Sequence, residues 1–442
     1  MKILKFGGTS VGSPERMKDV ARLIADGQRK IVVLSAMSGT TNRLVEIADY
    51  IKKRNTESGN ALIGHLRGKY KKHIPELFAT AEARKRCEKF FRDEFINLGR
   101  LAQGDFNETM EKAILAQGEI LSTHMMFFYL QEQGMKVRLI PALDFMHIDA
   151  DGEPMLRPIH EYWERLLAED KDTEIFLTQG FICRNPQGEI DNLQRGGSDY
   201  TASLIGAALH LEEIQIWTDI DGMHNNDPRF VEGTRPVRQL HFEEAAELAY
   251  FGAKILHPTC IQPARYAGVP VRLLNTMQPD APGTLINNTM QSGVIKAVAA
   301  KDNITAIKVV SSRMLLATGF LRHIFDIFAR YKTSIDMVAT SEVGVSLSID
   351  NDSRLTPIVE ELKKVGTVEV DHNMCIICVV GDLVRENKGF LARITSAMSD
   401  VAVRMVSYGG SNHNISFLVK AEEKKQALQA LSDKLFKESS IN

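Results

Sequence analysis

Lysine and glycine residues that could bind an anionic group lie close together near the start of the sequence. Lys5 precedes Gly7 and Gly8 at the end of a short apolar run, and a turn into a helix there presents backbone N–H groups to an anion. Glycine lets a phosphate approach the backbone closely. Gly7 and Gly12 have the spacing of a Walker A loop, but Ser13 stands where that motif requires lysine. The string therefore predicts an anion site that is neither a P-loop nor a dinucleotide fingerprint.

Five later strings carry similar side chains. Apolar residues follow Glu119, so we expect it to be partly buried, and a partly buried carboxylate needs a cationic partner. Arg195 precedes two glycines and suits bidentate capture of a carboxylate. No Ser–His–Asp or Cys–His set is present, so the strings do not indicate a protein nucleophile. The strings are Ser35–Asn42, Gln117–Ser122, Arg195–Thr201, Trp217–Gly222 with Asp227–Arg229, and Phe251–Pro258.

Plainer interpretations of these residues stay open at this point. Lys254 could be one of many solvated lysines, and Glu119 could face water on a helix. Asp219 and Asp221 could form a catalytic pair, but their position at the end of a strand favours contact with a nucleotide or a metal. The 12 histidines show no metal-ligand spacing, so we assign no zinc and no protein ligand for a metal.

Composition and charge exclude several classes of protein. The 442 residues carry a net charge of −2. Because positive and negative charges nearly cancel, the composition does not indicate a nucleic-acid partner. No apolar run approaches the ~18 residues of a membrane span. The 5 cysteines are odd in number and sparse, which favours a reducing cytoplasm. Cys375 and Cys378 lie in an apolar run that predicts a buried strand, where alternating faces would separate them. We expect them to be buried hydrophobes and not a redox or zinc pair.

Strands alternate with helices through the first two thirds of the chain. Ser13 can cap a helix that begins with Pro14 in its first turn. This alternation predicts an α/β sandwich with a mainly parallel sheet. The segment from about Asn55 to Gln117 has helical spacing only, and we expect a helical insertion there. The predicted strands are Lys2–Phe6, Ile31–Leu34, Val137–Ile140, Ile175–Leu177, Ile214–Trp217 and Val269–Leu274.

The remainder of the chain is a linker followed by an internal repeat. Pro279–Gly293 is rich in Pro, Gly, Asn and Thr without periodicity, which predicts the linker. Each repeated unit is expected to contain a strand, a Gly-Phe-Leu turn, a helix and two further strands. Two copies are too few for a solenoid. A paired ligand-sensing module fits better, although a duplicated structural domain without a ligand stays possible. The repeated segments are Gly319–Leu321 with Gly389–Leu391, Ile335–Val338 with Val403–Val406, and Val345–Ile349 with Ile415–Val419.

The six strings resemble, in the same order, the signatures of the aspartate kinases, within the amino-acid kinase superfamily. Those signatures are the opening string, a second glycine loop, a G-E-x-x-S segment, a G-R-G-G-S-D-x-T segment, a nucleotide-binding strand and loop, and a last catalytic string. The C-terminal repeat is similar to the tandem ACT domains of these enzymes. The resemblance implies an amino-acid kinase-like three-layer α/β sandwich with a mainly parallel sheet, plus two ferredoxin-like ACT domains. It implies a catalytic domain at 1–290 and a regulatory region at 291–442. The first repeat would lie at about 311–373, and the second at about 295–310 plus 374–442.

The implied activity is ATP- and Mg²⁺-dependent phosphorylation of the side-chain carboxylate of L-aspartate. The product, 4-phospho-L-aspartate, leads to lysine, threonine and methionine. A carboxylate with a pKa of about 4 is already ionised and needs no general base. Catalysis then depends on neutralising and aligning charge. By resemblance the catalytic residues are Lys5, Asp199 and Lys254; the substrate-binding residues are Ser35, Thr41, Glu119, Arg195, Gly196, Gly197 and Ser198; and the ATP-binding residues are Lys5, Gly7, Gly8, Thr218, Asp219, His224, Arg229 and Lys254.

Roles for these residues follow from the same resemblance. Lys5 and Lys254 would stabilise the transferring phosphoryl group, and Asp199 would orient lysine side chains or the metal. Glu119 would hold the α-ammonium of aspartate and Arg195 its α-carboxylate. His224 stands where many members of the family carry a tyrosine that approaches the adenine.

The resemblance of the first repeat implies regulation by an amino acid, and L-lysine is the predicted effector. The carboxylates of Asp336 and Glu342 could hold an ammonium group, which threonine lacks on its side chain. By resemblance the chain would form a homodimer through its ACT domains. The effector residues implied by resemblance are Met314, Gly319, Phe320, Leu321, Ser334, Asp336, Thr340, Ser341 and Glu342.

Two other functions compete with this prediction. One is a superfamily relative that acts on glutamate, acetylglutamate or a nucleotide, but the helical insertion and the tandem repeat argue against it. The other is a catalytically silent amino-acid sensor, against which the presence of Lys5, Asp199 and Lys254 counts.

Overall fold

The computed structural model describes residues 1–104, 106–193, 196–252, 256–314, 318–383 and 388–437. The chain divides into two compact units: Met1–Met223 with Ile255–Asn288, and His224–Lys254 with Thr289–Asn442. Among the described residues, no helix is long and apolar enough to cross a membrane.

Strands and helices alternate in the first unit, and antiparallel strands dominate the second. The strands are β1 Lys2–Phe6, β2 Lys30–Leu34, β3 Val137–Ile140, β4 Ile175–Gln179, β5 Ile182–Arg184, β6 Ile190–Asn192, β7 Ile214–Thr218, β8 Gln239–His241, β9 Val271–Asn275, β10 Thr284–Asn287, β11 Ile295–Val310, β12 Met337–Thr340, β13 Gly344–Ile349, β14 Thr367–Gly381, β15 Val403–Tyr408 and β16 Asn414–Lys420. The helices are α1 Pro14–Ile24, α2 Thr40–Lys52, α3 Thr56–Leu77, α4 Ala81–Leu101, α5 Glu108–Glu132, α6 Leu156–Glu169, α7 Gly197–Ala208, α8 Phe242–Tyr250, α9 Pro258–Ala267, α10 Phe320–Arg330, α11 Leu355–Leu362, α12 Phe390–Ala397 and α13 Lys424–Ser432.

The sheet of the first unit has β1 near its centre. Neighbouring strands follow the order β3-β4-β2-β1-β7-β9-β10. The pairs up to β9 are parallel, whereas β10 runs antiparallel to β9. This arrangement confirms the predicted α/β fold with a mainly parallel sheet.

Helices cover both faces of this sheet. Leu4 and Phe6 point into a core that is shared with α1 to α5. The alternate residues of the strand point to the other face, where Ile3 meets Gly206 of α7. Because both faces are covered, β2 is apolar from Ile31 to Leu34, and β1 is apolar except at Lys2 and Lys5. Alternation along β1 also directs the side chain of Lys5 toward α7.

The predicted helical insertion is present as α3, α4 and the first half of α5. Tyr70 of α3 is fully buried, and its ring stacks on Phe91 of α4 with centroids 5.1 Å apart. Aromatic pairs of this kind add to the stabilisation that burial provides. The buried residues of the insertion and those of one face of the sheet form a single continuous core.

Part of the predicted linker forms a strand. We expected Pro279–Gly293 to lack regular structure, but Thr284–Ile286 pairs with Val271–Leu273 of β9. Gly283 makes the approach possible, because a Cβ there would lie 1.9 Å from the carbonyl oxygen of Leu273. A strand of four residues is too short to show a hydrophobic period in the sequence, and pairing with β9 stabilises it. The first unit ends directly after it, at Asn288.

The repeats of the second unit share one antiparallel sheet, ordered β12-β13-β11-β14-β16-β15. The two long strands β11 and β14 lie at its centre. Residues 305–310 of β11 pair with β13 of the first repeat, and residues 295–301 pair with the later half of β14. We assigned residues 295–310 to the second repeat, but in the structure β11 contributes to both. The pairing of β11 with distant strands decides how it is shared, and sequence similarity alone does not record that pairing.

The repeated Gly-Phe-Leu segments begin equivalent helices. Gly319 has φ +85° before α10, and Gly389 has φ +91° before α12. Only glycine adopts this region without strain, which explains its presence in both copies. Separate cores form beneath the two helices, one around Ile324 and one around Ile394. The predicted order of elements within each repeat is confirmed.

The two cysteines of the C-x-x-C string are free, buried residues of β14, as predicted. Cys375 belongs to the core of the second repeat together with Ile377 and Val379. Because side chains alternate along a strand, Cys378 points to the opposite face of β14, away from this core. Burial raises the pKa of both thiols, to about 12 at Cys375. A thiol that stays protonated is a poor nucleophile and a poor metal ligand.

Candidate active site

The loops that follow the parallel strands emerge at one edge of the first sheet. Parallel strands share the direction of their carboxyl ends, and ligands of open α/β sheets bind at that edge. Motif residues predicted from the sequence lie in these loops, directly after β1, β2 and β7. The residues that leave the strands here are Gly7, Ser35, Gly180, Asp219 and Thr276.

Lys5 and Asp199 form the central ion pair of this edge. The ammonium nitrogen of Lys5 lies 2.6 Å from Oδ1 of Asp199, with 11% and 17% of the two side chains exposed. Asp199 stands in the first turn of α7, where the positive end of the helix dipole also favours its charge. The pair is accessible to a ligand, and because it is mostly buried, water screens its charges less than it would at the surface.

The glycine string after β1 forms a tight turn. The N–H of Gly7 donates to the carbonyl oxygen of Trp217, and the N–H of Ser38 donates to that of Gly8. A Cβ at Gly8 would lie 2.8 Å from the carbonyl oxygen of Ala36. The turn can therefore pass beside the loop after β2 only with glycine at this position. Nζ of Lys5 lies 3.5 Å from where a Cβ of Gly7 would be, so the ammonium hangs directly over the turn.

Glu119 of α5 is buried with 4% of its surface exposed. Its Oε1 accepts the N–H of Ala36 at 3.1 Å, while its Oε2 is buried without a hydrogen-bond partner in the structure. Burial raises the pKa of this carboxyl to about 7, although Ala36 N–H and the charge of Lys5 act in the opposite direction. The carboxyl is therefore able to accept one further cationic or donor group, which is what its predicted role requires.

The glycines before α7 bring its first turn against neighbouring loops. Gly196 has φ +88°, and a Cβ there would lie 2.3 Å from Sγ of Cys260. Ser198 is buried, and a Cβ at Gly180 would collide with it. A Cβ at Gly197 would likewise lie 2.9 Å from the ring of Phe181, so the close packing around this turn explains the paired glycines.

The residues predicted to bind ATP fall into both units. Thr218 ends β7, and its hydroxyl donates to the exposed carboxylate of Asp219 at 3.0 Å. In the second unit, Nδ1 of His224 lies 3.0 Å from the hydroxyl oxygen of Thr234. The guanidinium of Arg229 holds Asp227 at 2.6 Å and lowers the pKa of that carboxyl against the effect of burial.

Of the remaining predicted residues, two are described by the structure and two are not. Arg195 and Lys254 lie outside the described residues. Ser35 is half-buried, and its carbonyl oxygen accepts the hydroxyl of Ser122 at 2.7 Å. Thr41 is exposed in the first turn of α2.

Several polar residues near the sheet edge escaped the sequence analysis. Thr40, and not Thr41, is buried, and its hydroxyl lies 3.3 Å from that of Tyr70. The hydroxyls of Ser10 and Thr276 meet at 2.7 Å. Members of these pairs are separated by 30 and 266 residues, so no local pattern could have joined them. Thr40 stands in the Ser35–Asn42 string that the sequence analysis singled out, but nothing local marks Tyr70 as its partner.

Known families and relatives match both parts of this architecture. The profile of the amino acid kinase family matches residues 1–275, and that of the ACT domain matches residues 377–435. The chain is 32% identical to the lysine-sensitive aspartokinase 3 of Escherichia coli, over 98% of this chain and 99% of that protein. The chain belongs to the aspartokinases, within the amino acid kinase family.

Other aspartokinases agree with this assignment. The chain is 34% identical to chloroplastic aspartokinase 3 of Arabidopsis thaliana, over 98% of this chain and 81% of that protein. E. coli aspartokinase III in complex with aspartate and ADP matches with a TM-score of 0.83 and 30% identity, covering 99% of this chain and 100% of that one. The structure of the same enzyme in complex with lysine and aspartate matches with a TM-score of 0.81 and 31% identity, covering 99% of both chains. As an aspartokinase the chain is an ATP-dependent phosphotransferase, and the predicted enzyme class is confirmed.

The predicted effector residues of this aspartokinase lie in its second unit. Asp336 is buried, with 1% of its side chain exposed, and its Oδ1 lies 2.7 Å from Nζ of Lys301. The hydroxyl of Tyr250 donates to the same oxygen at 2.7 Å. Ser334, Thr340, Ser341 and Glu342 are exposed, as are Gly319 and Leu321, whereas Met314 and Phe320 are half-buried.

Proposed function

We propose that the chain transfers the γ-phosphate of ATP to the side-chain carboxylate of L-aspartate, forming 4-phospho-L-aspartate. The observation that carries this proposal is the Lys5–Asp199 pair at the carboxyl edge of the sheet, over the glycine turn. An ammonium in this position can neutralise charge on a transferring phosphoryl group. The acceptor carboxylate is already ionised, so the reaction requires no general base.

Aspartate would be held through both of its α-substituents. The unpartnered Oε2 of Glu119 offers an acceptor for the α-ammonium, and Arg195 is proposed for the α-carboxylate. Ser35, Thr41, Gly196, Gly197 and Ser198 are proposed to line the same pocket. Ionisation of Glu119 then accompanies binding, since a cation beside the carboxyl lowers its pKa.

ATP would lie along the ends of β1 and β7. Gly7, Gly8, Thr218 and Asp219 are proposed to contact it, together with Lys5, Lys254, His224 and Arg229. Mg²⁺ is proposed to bind mainly through the phosphates, as this ion usually does. The exposed carboxylate of Asp219 and the partly exposed Asp199 fit as oxygen ligands. When bound, the ion would neutralise phosphate charge.

We infer that lysine is the effector and that the chain dimerises through its ACT domains. The first inference is supported by the E. coli relative, which is named lysine-sensitive. The second is supported by exposed apolar side chains at equivalent places of both repeats: Leu321, Val338, Leu391 and Val406. The cytoplasm is the proposed compartment, because all 5 cysteines are free and buried.

A coupled assay for ADP release tests the reaction. Aspartate is expected to support turnover, whereas glutamate, which is one methylene longer, is expected to support little. Turnover with glutamate or a nucleotide, and none with aspartate, would assign the chain to another branch of the superfamily. If no acceptor supports turnover, the proposal of a silent sensor replaces this one.

A further inference from the structure

A cluster of histidine and glutamate side chains lies in the second unit, and the phosphoryl-transfer reaction does not use it. His241 and Glu243 stand at the start of α8, and His413 directly precedes β16. Each offers one ligand atom, and these three atoms lie within 4.8 Å of one another. Two imidazoles and a carboxylate are a ligand set typical of Zn²⁺, with a fourth position left for water.

The backbone holds these side chains in place. His241 is the N-cap of α8, and its own N–H donates to Oε2 of Glu244 at 2.8 Å. His413 is 7% exposed, its N–H donates to Oγ of Ser411 at 3.1 Å, and its carbonyl oxygen accepts the N–H of Gly381. The backbone at both histidines is therefore fixed, and the buried side chain of His413 has little conformational entropy left to lose when it binds an ion.

Independent observations at the same place point to a cation. Oε1 of Glu244, the residue next to Glu243, is buried without a hydrogen-bond partner in the structure. Glu247 lies beside the cluster and accepts from the side-chain amide of Asn414 at 2.6 Å. Asp382 and Lys296 are further charged groups that act on Glu244. Carboxylates therefore outnumber the nearby ammonium among the described residues, and those in the first turn also offset the helix dipole, which would otherwise disfavour a cation.

We propose that His241, Glu243 and His413 form a binding site for a divalent transition-metal ion of the zinc class. Nε2 of His413 lies 2.6 Å from Oε2 of Glu243, so a shared hydrogen bridges the two ligands. A metal ion replaces that proton. Bonds of about 2.0–2.2 Å to the ion require the two atoms to separate by less than about 1 Å. Nδ1 of His241 accepts the N–H of Glu243 over a long 3.3 Å. A metal at Nε2 would place the imidazole proton on Nδ1, so only this weak bond would be lost.

Cobalt binding tests the site directly, because Co²⁺ reports coordination through its visible spectrum. The whole chain is stripped with EDTA and titrated with CoCl₂ in the presence of excess Mg²⁺ and without nucleotide, whose phosphates would compete for the metal. We expect one ion per chain, a tetrahedral d–d spectrum, and its loss when Zn²⁺ is added. Zn²⁺ alone should raise the unfolding temperature.

Variants decide between this site and an ordinary ion pair. Glu243→Gln and His413→Gln should each weaken binding by more than the ~10–100-fold that loss of an outer-sphere partner costs. His160→Gln is the control, since His160 faces Glu164 at 3.4 Å without a third ligand among the described residues. If His413→Gln does not fold, Glu243→Gln decides, because that side chain is 36% exposed. Absence of binding, or binding unchanged in Glu243→Gln, would overturn the proposal. Neither result depends on the kinase reaction.

Discussion

At the scale of single residues, the candidate active site combines an ion pair at the carboxyl edge of the sheet with one buried carboxyl group. Lys5 is paired with Asp199 at 2.6 Å, and Glu119 keeps one oxygen without a partner. In the proposed function, the first arrangement would neutralise the charge of the phosphoryl group, and the second would attract the α-ammonium of the substrate. Both can be tested by single substitutions.

Lys5→Ala is expected to lower kcat by ~10²–10³, comparable to the loss of one donor that stabilises a transition-state oxyanion. The affinity for ATP should change far less, because the interaction strengthens mainly in the transition state. Steady-state kinetics and nucleotide titration measure the two quantities. Lys2→Ala is the matched control, since Lys2 stands at the amino end of the same strand and faces Glu212. A kcat close to that of the wild type would exclude Lys5 from the reaction.

Glu119→Gln is expected to change how stability depends on pH. Burial raises the pKa of Glu119 from 4.5 to about 7, so the folded state holds its proton more tightly than the unfolded state. The stability that this proton contributes is complete below pH 4.5 and is lost as the pH rises to 7, a difference of about 3 kcal/mol. Relative to the wild type, the variant should therefore gain stability between pH 5 and 8.

Chemical denaturation across that pH range measures the difference between the two proteins. Subtracting the wild type removes the contributions of carboxyls with lowered pKa, such as Asp170 and Asp227. A difference that does not vary with pH would mean that Glu119 titrates normally. The same variant should raise the KM for aspartate more than that for ATP.

At the scale of elements, α8 is attached to the regulatory sheet along one face. Glu243, Glu247 and Tyr250 follow one another at i, i+4 and i+7, and they contact His413, Asn414 and Asp336 respectively. Lys301 also lies over the ring of Tyr250, with Nζ 4.2 Å from its centroid. The helix is thus bonded to the start of β16 and to the residue before β12.

Tyr250→Phe is expected to reduce the free energy of unfolding by about 1 kcal/mol, the usual value of one hydrogen bond. The loss should stay near this value because Lys301 still pairs with Asp336 and the ring is retained. Burial and the Asp336 carboxylate raise the pKa of the Tyr250 phenol, so the donor stays protonated at neutral pH. Urea denaturation measures the change, and Tyr266→Phe, at a ring that is 85% exposed, is the control. Equal effects of the two substitutions would show that the Asp336 bond contributes nothing.

At the scale of the whole molecule, the regulatory proposal links an effector in the first repeat to catalysis in the other unit. Such coupling is typically 1–3 kcal/mol, or about 5–150-fold in affinity. Asp336 is already occupied by Lys301 and Tyr250, whereas Glu342 is exposed. Glu342 is therefore the residue at which an effector contact can be removed with the least effect on the fold.

Glu342→Ala should raise the lysine concentration needed for half-maximal inhibition while leaving the uninhibited kcat nearly unchanged. Glu360→Ala is the control, because Glu360 is an exposed carboxylate of the same repeat that pairs with Lys363. Inhibition curves with lysine and with threonine measure the effect. Inhibition by threonine alone would reject lysine as the effector without affecting the kinase assignment.

The sequence by itself determined those features that depend on local order. The apolar runs of β1, β2, β3, β4, β7 and β9 were recognised to within a few residues, because strands of a covered parallel sheet are rich in apolar residues. The glycine turn, the cap at Ser13 and the repeated Gly-Phe-Leu segments were equally local. The motif order fixed the family for the same reason, since each motif is a continuous string.

The tertiary structure decided everything that joins distant segments. It formed β10 inside the expected linker, because an antiparallel partner was available in β9. It divided β11 between two repeats, and it brought His241 and Glu243 to His413. It also placed Thr40 and not Thr41 beside Tyr70, since the start of α2 sets which threonine faces the core. Burial and charge pairing arise only when the chain closes on itself, and no local pattern records which distant residue will arrive.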